Sequence, residues 1–241
     1  MPGKQENFIL NDDEIHIWNY SLEPNENLAE SYFEKLSEDE KSKAKKIIIK
    51  EVKYRSILSK VITRNILSKY LDKEFNLINY YYNEFGKPIL SSDINHLNLD
   101  FNNSHSGNLG VMAITKKKPI GIDVEQVIEL KNLDELINHI FTDNEINELY
   151  RLNQIDKTLM FYKIWTAKEA FVKAIGQGLS FPIKNIEFKI DSPRGISIRD
   201  IKEFPDSLNE WQIYNFTPKE NYTSTIAVKI NSIKTKSFVW S

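Results

Sequence analysis

The sequence predicts an α+β fold composed of two similar halves. Two long segments, residues 54–70 and about 157–176, carry apolar residues at spacings of three and four, which is typical of amphipathic helices. Each helix follows an S/T-x-x-E capping box and precedes strand-like segments. The order of elements in the second half therefore repeats that of the first. Capping boxes are common before helices, so coincidence and internal duplication are both open interpretations of this pattern alone.

The first half contains one capping box and one long helix. Ser37 and Glu40 form the box, in which the two side chains satisfy free amides at a helix start. The helical pattern of residues 54–70 follows. Strand-like segments then span residues 75–82 and 96–101.

A basic turn joins the two halves. Residues 110–114 and 120–125 predict two strands, and the turn at residues 115–119 lies between them. We place the boundary in this turn. The first half is then residues 1–117, and the second is residues 118–241.

The second half repeats the arrangement with different residues. Thr142 and Glu145 form its capping box, and its long helix ends at Gly176, where a left-handed residue would close it. Further strand-like segments span residues 186–190, 211–216, 224–230 and 237–240.

The composition excludes several classes of protein. Asp and Glu number 34 against 32 Lys and Arg, so no overall field draws the chain to nucleic acid or an anionic membrane. Cysteine is absent, which excludes disulfides and thiolate metal sites. Residues 1–13 lack the basic and apolar regions of a signal peptide, and no apolar stretch approaches the ~20 residues that a bilayer requires. We therefore expect a soluble, cytoplasmic protein.

Residues 121–125 carry two carboxylates two positions apart. Side chains at this spacing project from one face of a strand, so Asp123 and Glu125 lie side by side while Ile122 and Val124 face the core. Adjacent carboxylates repel each other unless a cation or protons relieve them, and oxygen ligands suit a hard ion such as Mg²⁺. A D-x-E pair on a strand is also commonly a solvated face, so the pair alone leaves both interpretations open.

A second charged group lies on the long helix of the second half. Trp165, Glu169 and Lys173 are four residues apart and share one stripe of this helix. The surrounding helix is largely apolar, which favours a site over the alternative of an exposed Glu–Lys pair, and we expect Trp165 in the core. With Asp123 and Glu125, the Glu169 carboxylate would complete the protein share of an octahedral magnesium shell.

Four motifs together resemble one known family. Residues 121–125 (GIDVE), followed about forty residues later by W-x-x-K-E-A-x-x-K-x-x-G-x-G-L at residues 165–179, are similar to the paired signature of the Sfp-type 4′-phosphopantetheinyl transferases. Residues 85–88 (FGKP) resemble the family's G-K-P turn, and residues 101–106 (FNNSHS) its F-N-x-S-H-S strand. The resemblance covers roughly residues 36–182. It implies the family's α+β fold, with two similar α/β halves related by a pseudo-two-fold axis.

The resemblance implies a reaction and a catalytic set. Family members transfer the 4′-phosphopantetheine group of coenzyme A to a serine hydroxyl of an apo carrier protein and release 3′,5′-ADP. Asp123, Glu125 and Glu169 match the ligands of Mg²⁺, in whose place Mn²⁺ can stand. Glu169, or a water that it orients, matches the base that takes the serine proton, and Lys173 matches the lysine at the attacked phosphate. Asp123, Glu169 and Lys173 are thus the expected catalytic residues, and Asp123 and Lys173 also contact the substrate.

Other positions match the family's coenzyme A contacts. Ser104 and His105 match residues at the nucleotide phosphates. The family's turn at the adenine corresponds to Gly86, Lys87 and Pro88. Its groups at the 3′-phosphate, which lie in the first half, correspond to Lys43, Arg55 and Ser56. Some members have a further basic residue where this chain has Glu40, and Lys41 is the candidate substitute.

The resemblance also implies the partners. They are coenzyme A and the apo carrier domains (peptidyl, acyl or aryl) of peptide, polyketide or fatty-acid synthesis, with no nucleic acid and no membrane. A monomer is expected, since two halves of one chain replace the separate subunits of the family's short type. Two alternatives are a metal-dependent nuclease or phosphatase, which also clusters Asp, Glu and Lys around Mg²⁺, and a coenzyme A-binding module without activity. The joint presence of the acidic residues and Lys173 argues against the inactive module.

Overall fold

A computed structural model of the chain describes residues 8–191, 195–203, 205–230 and 234–241. Residues 1–7, on which part of the signal-peptide expectation rests, lie outside the described residues. Within the described ranges, no helix combines the length and the apolar character that crossing a membrane requires.

The first half begins with a strand, continues through three helices and ends in four strands. These are β1 (Glu14–Ser21), α1 (Glu26–Phe33), α2 (Glu38–Lys45), α3 (Lys50–Leu71), β2 (Tyr80–Tyr82), β3 (Pro88–Leu90), β4 (Leu99–Ser106) and β5 (Leu109–Lys116). The predicted capping box of Ser37 and Glu40 is confirmed and begins α2. The long helix α3 begins at Lys50, which is earlier than the apolar pattern predicts. Its first turn is largely exposed and therefore does not contribute to that pattern. It ends before Asp72, whose φ of 48° is left-handed.

The second half repeats this order of elements. These are β6 (Ile120–Gln126), α4 (Leu133–Ile140), α5 (Asp143–Leu149), α6 (Gln154–Ile175), β7 (Ile186–Asp191), β8 (Gly195–Ile201), β9 (Trp211–Phe216), β10 (Tyr222–Lys229) and β11 (Lys234–Trp240). The capping box of Thr142 and Glu145 is also confirmed and begins α5. Helix α6 has 22 residues, the same length as α3, and ends as predicted before Gly176, whose φ is 70°.

The order of strands confirms the prediction of two similar halves. One sheet has the order β11-β1-β5-β4 and the other has the order β6-β10-β9. The three-strand units β1-β5-β4 and β6-β10-β9 therefore have the same connectivity, and all their neighbours are antiparallel. A two-stranded hairpin follows the long helix in each half, β2-β3 in the first and β7-β8 in the second. This repetition extends well beyond the capping boxes, so coincidence no longer explains it.

The last strand departs from the expected division of the chain. β11 pairs in parallel with β1 along its whole length. The ring of Phe238 in β11 stacks on the ring of Trp18, with 4.9 Å between the centroids. Residues 234–240, which a boundary at residue 118 assigns to the second half, thus complete the sheet of the first half.

The main elements form layers in the order helix, sheet, sheet, helix. Helix α3 shares a buried cluster with Phe101 and Met112 on one face of the first sheet. The other face of that sheet meets the second sheet through side chains that include Val111, Ile122 and Val124. Helix α6 covers the outer face of the second sheet.

Each capping-box glutamate forms a buried ion pair with the long helix of its half. Glu40 lies 2.8 Å from a terminal nitrogen of Arg64, and Glu145 lies 3.0 Å from Lys168 Nζ. Arg64 and Lys168 both occupy the fifteenth position of their helices. The same ion pair therefore joins equivalent helices in the two halves.

Helix α6 approaches β6 closely because of Gly121. A Cβ at this position would lie 2.0 Å from the carbonyl oxygen of Ala170 and 2.5 Å from the amide nitrogen of Ala174, so only glycine permits this contact. On another side, the Asn102 side chain of β4 accepts a hydrogen bond of 3.0 Å from the backbone N–H of Ile122. Strand β6 is thus held between α6 and β4, and this junction positions the candidate site.

Candidate active site

Strand β6 and helix α6 bring the predicted acidic and basic residues together. Ile122 and Val124 are buried between the sheets, and the alternation along the strand directs Asp123 and Glu125 to the side of α6. From α6, Lys173 Nζ lies 2.6 Å from Asp123 Oδ1. The structure therefore joins a strand and a helix that are distant in the sequence.

Two hydroxyls of β4 meet the two carboxylates of β6. Ser104 Oγ donates a hydrogen bond of 2.7 Å to Asp123 Oδ1, and Ser106 Oγ donates one of 2.7 Å to Glu125 Oε2. Lys173 Nζ donates to Ser104 Oγ at 3.0 Å. Because both pairs have a spacing of two, each hydroxyl faces one carboxylate.

Burial raises the pKa of both Glu125 and Glu169, and neighbouring charges modify this effect. For Glu125, the hydrogen bond from Ser106 and the charge of Lys173 oppose the rise, and the charge of Asp123 adds to it. For Glu169, the charges of Asp123 and Glu125 add to the rise and Lys173 opposes it. The three carboxylates thus lie close enough to repel each other, a repulsion that a cation or a proton would relieve.

The donor set suits a hard divalent cation. Asp123 is 4% exposed, and its Oδ2 is buried without a hydrogen-bond partner among the described residues. A buried carboxylate oxygen is costly without a donor or a cation, and Mg²⁺ prefers oxygen ligands of this kind. In the described parts of the chain, no group of three or more acidic, histidine or cysteine side chains is already arranged as a metal cage. The carboxylates would therefore have to adjust their side chains to bind an ion together.

Two clefts meet at this cluster. The wide cleft, about 680 Å³, lies between the turn at residues 85–88, the C-terminal part of α6 and residues 176–183, and Trp165 and Glu169 line it. The basic cleft, about 400 Å³, lies between α3, β2 and β4. Among the residues that line the basic cleft are Ser56, Lys60, Tyr82, Ser104 and His105. Both clefts are lined by Gly86, Pro88, Asn103 and Lys173.

Two family models match adjoining parts of the chain. Residues 119–227 match the 4′-phosphopantetheinyl transferase superfamily, and residues 21–117 match the model described as 4′-phosphopantetheinyl transferase, N-terminal. The 4′-phosphopantetheinyl transferase HetI of Nostoc sp. is 30% identical over 93% of this chain and 92% of that protein. The chain belongs to the 4′-phosphopantetheinyl transferase superfamily.

Further relatives of the transferase have related names. The 4′-phosphopantetheinyl transferase Sfp of Bacillus subtilis is 28% identical over 82% of this chain and 84% of that protein. The L-aminoadipate-semialdehyde dehydrogenase-phosphopantetheinyl transferase of Xenopus laevis is 34% identical over 52% of this chain and 45% of that protein. The Sfp-type resemblance is thus confirmed, and the reaction is transfer of phosphopantetheine from coenzyme A to carrier proteins. Neither matching family model describes a nuclease or a phosphatase.

The G-K-P turn of the transferase is fixed by its neighbours. Gly86 has a φ of 88°, which favours glycine. The Asn83 side chain accepts a hydrogen bond from the Lys87 N–H and donates one to the Gly176 carbonyl at the end of α6. The Lys87 ammonium donates to Asp100 Oδ2 and to carbonyl oxygens of β6 and α6, each at 3.2 Å. Lys87 therefore lines the wide cleft, and the hydrogen bonds of its ammonium connect the two halves.

The residues expected at the 3′-phosphate are only partly brought together in the transferase. Ser56 lines the basic cleft. Lys43 is exposed and pairs with Asp39 at 2.8 Å. Arg55 Nε donates to Asn108 Oδ1 at 3.0 Å, and Arg55 is not among the residues that line either cleft. Ser56 thus lines the basic cleft directly. Lys43 Nζ lies 5.0 Å from the ring centroid of Tyr82, which lines the cleft, and the charge of Arg55 acts on His105 in its wall.

Lys41, the candidate substitute for a basic residue at position 40, does not line the basic cleft either. Glu40 is 2% exposed and is committed to its ion pair with Arg64. Lys41 lies 3.2 Å from Glu38 and 3.6 Å from Glu34, and it is not among the residues that line either cleft. Among the described residues that line the basic cleft, there is therefore no basic side chain from the start of α2.

His105 lies on the exposed wall of the basic cleft. Desolvation lowers the pKa of its imidazole, and the charges of Lys173, Lys60 and Arg55 lower the pKa further. Three cations thus lie near enough to His105 to act on its imidazole, and positive charge of this kind suits a phosphate.

Three residues of the transferase site were missed by sequence reasoning. Ser106 carried a signal, since its spacing from Ser104 matches the spacing of the two carboxylates on β6. Trp165, expected in the core, is half-buried and lines the wide cleft beside Glu169. Lys60 lines the basic cleft, and no local sequence pattern distinguishes it from the other lysines of α3.

Proposed function

We propose that the junction of β4, β6 and α6 catalyses magnesium-dependent transfer of phosphopantetheine from coenzyme A to a serine of an apo carrier protein. The contact among Lys173, Asp123 and Ser104, at the point where the two clefts meet, carries this proposal. A diphosphate bound at this point would have a basic cleft for the nucleotide on one side. On the other side, the wide cleft would leave room for the pantetheine arm and the incoming serine.

Three carboxylates are the proposed magnesium ligands: Asp123, Glu125 and Glu169. Support comes from Asp123 Oδ2, which has no hydrogen-bond partner among the described residues, and from the pKa of Glu169, which burial raises and the charges of Asp123 and Glu125 raise further. A bound Mg²⁺, or Mn²⁺ in its place, would supply neutralisation of the diphosphate charge.

The transfer step is an attack by the carrier serine. Its Oγ forms a bond to the phosphorus next to pantetheine, the bond from that phosphorus to the bridging oxygen breaks, and 3′,5′-ADP leaves with the electron pair. Glu169, directly or through a water, takes the hydroxyl proton. Burial and the neighbouring carboxylates raise the pKa of Glu169, which increases its affinity for a proton and suits a general base.

Lys173 is the proposed electrostatic partner of the attacked phosphate. Its ammonium is held by hydrogen bonds to Asp123 Oδ1 and Ser104 Oγ at 2.6 Å and 3.0 Å. A cation fixed in this way stabilises charge on the phosphoryl oxygens without having to reorient during the reaction. Asp123 thus orients Lys173 as well as offering an oxygen to the metal.

Binding of the nucleotide is assigned mainly to the first half. We propose that Gly86 and Pro88 meet the adenine and that Ser104 and His105 meet the phosphates. On this division, residues 1–117 hold the nucleotide, and residues 118–241 hold the metal and the catalytic helix. A cytoplasmic monomer that serves peptidyl, acyl or aryl carrier domains is part of the same proposal.

The direct test is a transfer assay with intact protein. We expect one or more apo carrier proteins, mixed with the transferase, coenzyme A and Mg²⁺, to gain the mass of one phosphopantetheine group. Chelating the metal should stop the gain, and added Mg²⁺ should restore it. Transfer that persists without divalent metal would refute the metal assignment, and no transfer to any carrier by folded protein would refute the proposed reaction.

A further inference from the structure

The serines of β4 restrain the carboxylates of β6 through one oxygen each. Asp123 Oδ1 accepts two hydrogen bonds, from Ser104 Oγ at 2.7 Å and from Lys173 Nζ at 2.6 Å. The other oxygen of Asp123 is buried and has no hydrogen-bond partner among the described residues. Glu125 Oε2 accepts a hydrogen bond of 2.7 Å from Ser106 Oγ. Each carboxylate is therefore tied to β4 through one of its two oxygens.

Ser106 has no role in the proposed reaction, yet its hydroxyl is fixed by two neighbours. Its Oγ accepts a hydrogen bond of 3.1 Å from the backbone N–H of Gln126. A hydroxyl has a single hydrogen to donate, and that of Ser106 is donated to Glu125. Trp165 on α6 also acts on Glu125 as a hydrogen-bond donor. The orientation of the Glu125 carboxylate is thus set by side chains of both β4 and α6.

The number of oxygens that a carboxylate offers decides which divalent cation it suits. Ca²⁺ takes about six to eight oxygen ligands in a flexible geometry and accepts both oxygens of one carboxylate. Mg²⁺ is smaller and requires a nearly ideal octahedron, which favours a single oxygen from each carboxylate. A carboxylate that is held in one orientation by a hydrogen bond to its second oxygen therefore favours Mg²⁺ over Ca²⁺.

We propose that Ser106, by holding Glu125 Oε2, makes the metal site of this chain select Mg²⁺ over Ca²⁺. This inference rests on the proposed function, because it takes Asp123 and Glu125 as metal ligands. Ser106 is a positioning residue, since it acts on the cation only through Glu125. Ser104 restrains Asp123 in the same way, but its Oγ also accepts a hydrogen bond from Lys173. Ser106 is therefore the serine whose replacement tests the restraint alone.

The test compares the binding of MgCl₂ and of CaCl₂ to the intact chain with one equivalent of coenzyme A. Calorimetry measures both affinities for the unaltered chain, Ser106→Ala, Ser106→Thr and the control Ser237→Ala, which removes an exposed hydroxyl from β11. We expect Ser106→Ala to weaken Mg²⁺ binding by roughly 10-fold or more, the usual effect of losing a residue that orients a metal ligand. Binding of Ca²⁺ should weaken less or become tighter, because a released Glu125 can offer both oxygens. Ser106→Thr keeps the hydroxyl and should keep most of the preference, and Ser237→Ala should keep all of it.

Two results would overturn the assignment. One is an equal loss of affinity for both cations in Ser106→Ala, which would indicate a general disturbance of the site; the other is no loss for Mg²⁺. Thermal unfolding of Ser106→Ala at the same temperature as the unaltered chain confirms that the fold is intact. If Ser106→Ala does not fold, Ser106→Cys decides the question, because it keeps the size of the side chain with a weaker donor.

The binding experiment also separates this inference from the proposed reaction, because it needs neither a carrier nor transfer. If Ser106→Ala loses the preference for Mg²⁺ but the unaltered chain modifies no carrier, the reaction is wrong and the role of Ser106 stands. If the chain transfers phosphopantetheine but Ser106→Ala keeps the preference, the role of Ser106 is wrong and the reaction stands. Binding of neither cation by the unaltered chain would refute both the metal assignment and the role of Ser106.

Discussion

At the scale of single residues, the polar side chains of the site hold one another in position through hydrogen bonds. Asp123 accepts hydrogen bonds from Lys173 and Ser104 through one oxygen, and its other oxygen has no donor within the described part of the chain. The sequence predicted Asp123 and Glu125 on one face, because alternation along a strand is a local rule. It could not assign the serines as their partners, because the approach of β4 to β6 depends on tertiary packing.

Replacing Glu169 by Gln tests the most demanding assignment at this scale. The change keeps the shape of the side chain but removes the proposed base and one proposed metal ligand, so we expect transfer to fall by at least about 100-fold. The carrier's mass gain over time measures the rate. Glu220→Gln, the same change at an exposed position, should retain full activity. Near-normal transfer by Glu169→Gln would remove Glu169 from the mechanism.

The histidine in the basic cleft offers a check on its electrostatics. The pKa of His105 is lowered by desolvation and by three cations, one of which is Lys60. In Lys60→Gln one positive charge is lost, so the protonated imidazole is less disfavoured and the pKa of His105 should rise. A histidine NMR titration of the ligand-free protein measures this, with His96 as the internal reference. An unchanged His105 titration would mean that Lys60 lies too far away to act on it.

At the scale of elements, the spacing of apolar residues predicted both long helices, and the S/T-x-x-E pattern predicted the capping boxes ahead of them. The first turn of α3 escaped prediction because exposed polar residues carry no apolar pattern. The end of α6 was predicted by Gly176, which has the expected left-handed conformation. The position of β11 was not predictable, because a strand of alternating residues does not specify which sheet it joins.

The close contact of α6 with β6 predicts that a side chain at residue 121 would displace the whole helix. In Gly121→Ala, the added methyl group would overlap backbone atoms of α6, so the helix must move away from the strand. We expect unfolding free energy to fall by roughly 1–3 kcal/mol, as for other overpacked cores, and transfer to fall as Lys173 separates from Asp123. Urea denaturation and the transfer assay measure the two effects.

The control for this prediction is Gly195→Ala. Among the described residues, the atom nearest to a Cβ at Gly195 would lie 3.4 Å away, which is an ordinary contact. This variant should keep its stability within about 0.5 kcal/mol. Equal behaviour of the two alanine variants would show that the contact of α6 with β6 tolerates a side chain.

At the scale of the whole molecule, equivalent positions in the two halves carry different chemistry. Trp18 in β1 and Asp123 in β6 each pair with the fourth residue of the neighbouring strand, and Tyr20 and Glu125 each pair with the second. Aromatic side chains thus stand in the first half where the carboxylates stand in the second. Repetition of the fold was visible in the sequence, but this correspondence required the strand registers.

Because β11 pairs with β1, a substitution in the last strand should lower the stability of the first half. Phe238 stacks on Trp18, so Phe238→Ala would leave a gap in the aromatic cluster of the first half. Because Phe238 is half-buried, we expect a loss of about 2 kcal/mol, below the range for a fully buried phenylalanine. Val239→Ala changes a neighbour that is 75% exposed and should cost less than about 0.5 kcal/mol. Urea denaturation compares them, and equal losses would mean that β11 adds no specific packing.

The matched ion pairs of Glu40 with Arg64 and Glu145 with Lys168 show what the two halves still share. In an assembly of identical subunits, a mutation is present in every subunit, so a residue cannot change in one subunit alone. This constraint does not apply to a single polypeptide with two similar halves. Each half of this chain can therefore change independently, and the two ion pairs are a structural feature that both halves retain.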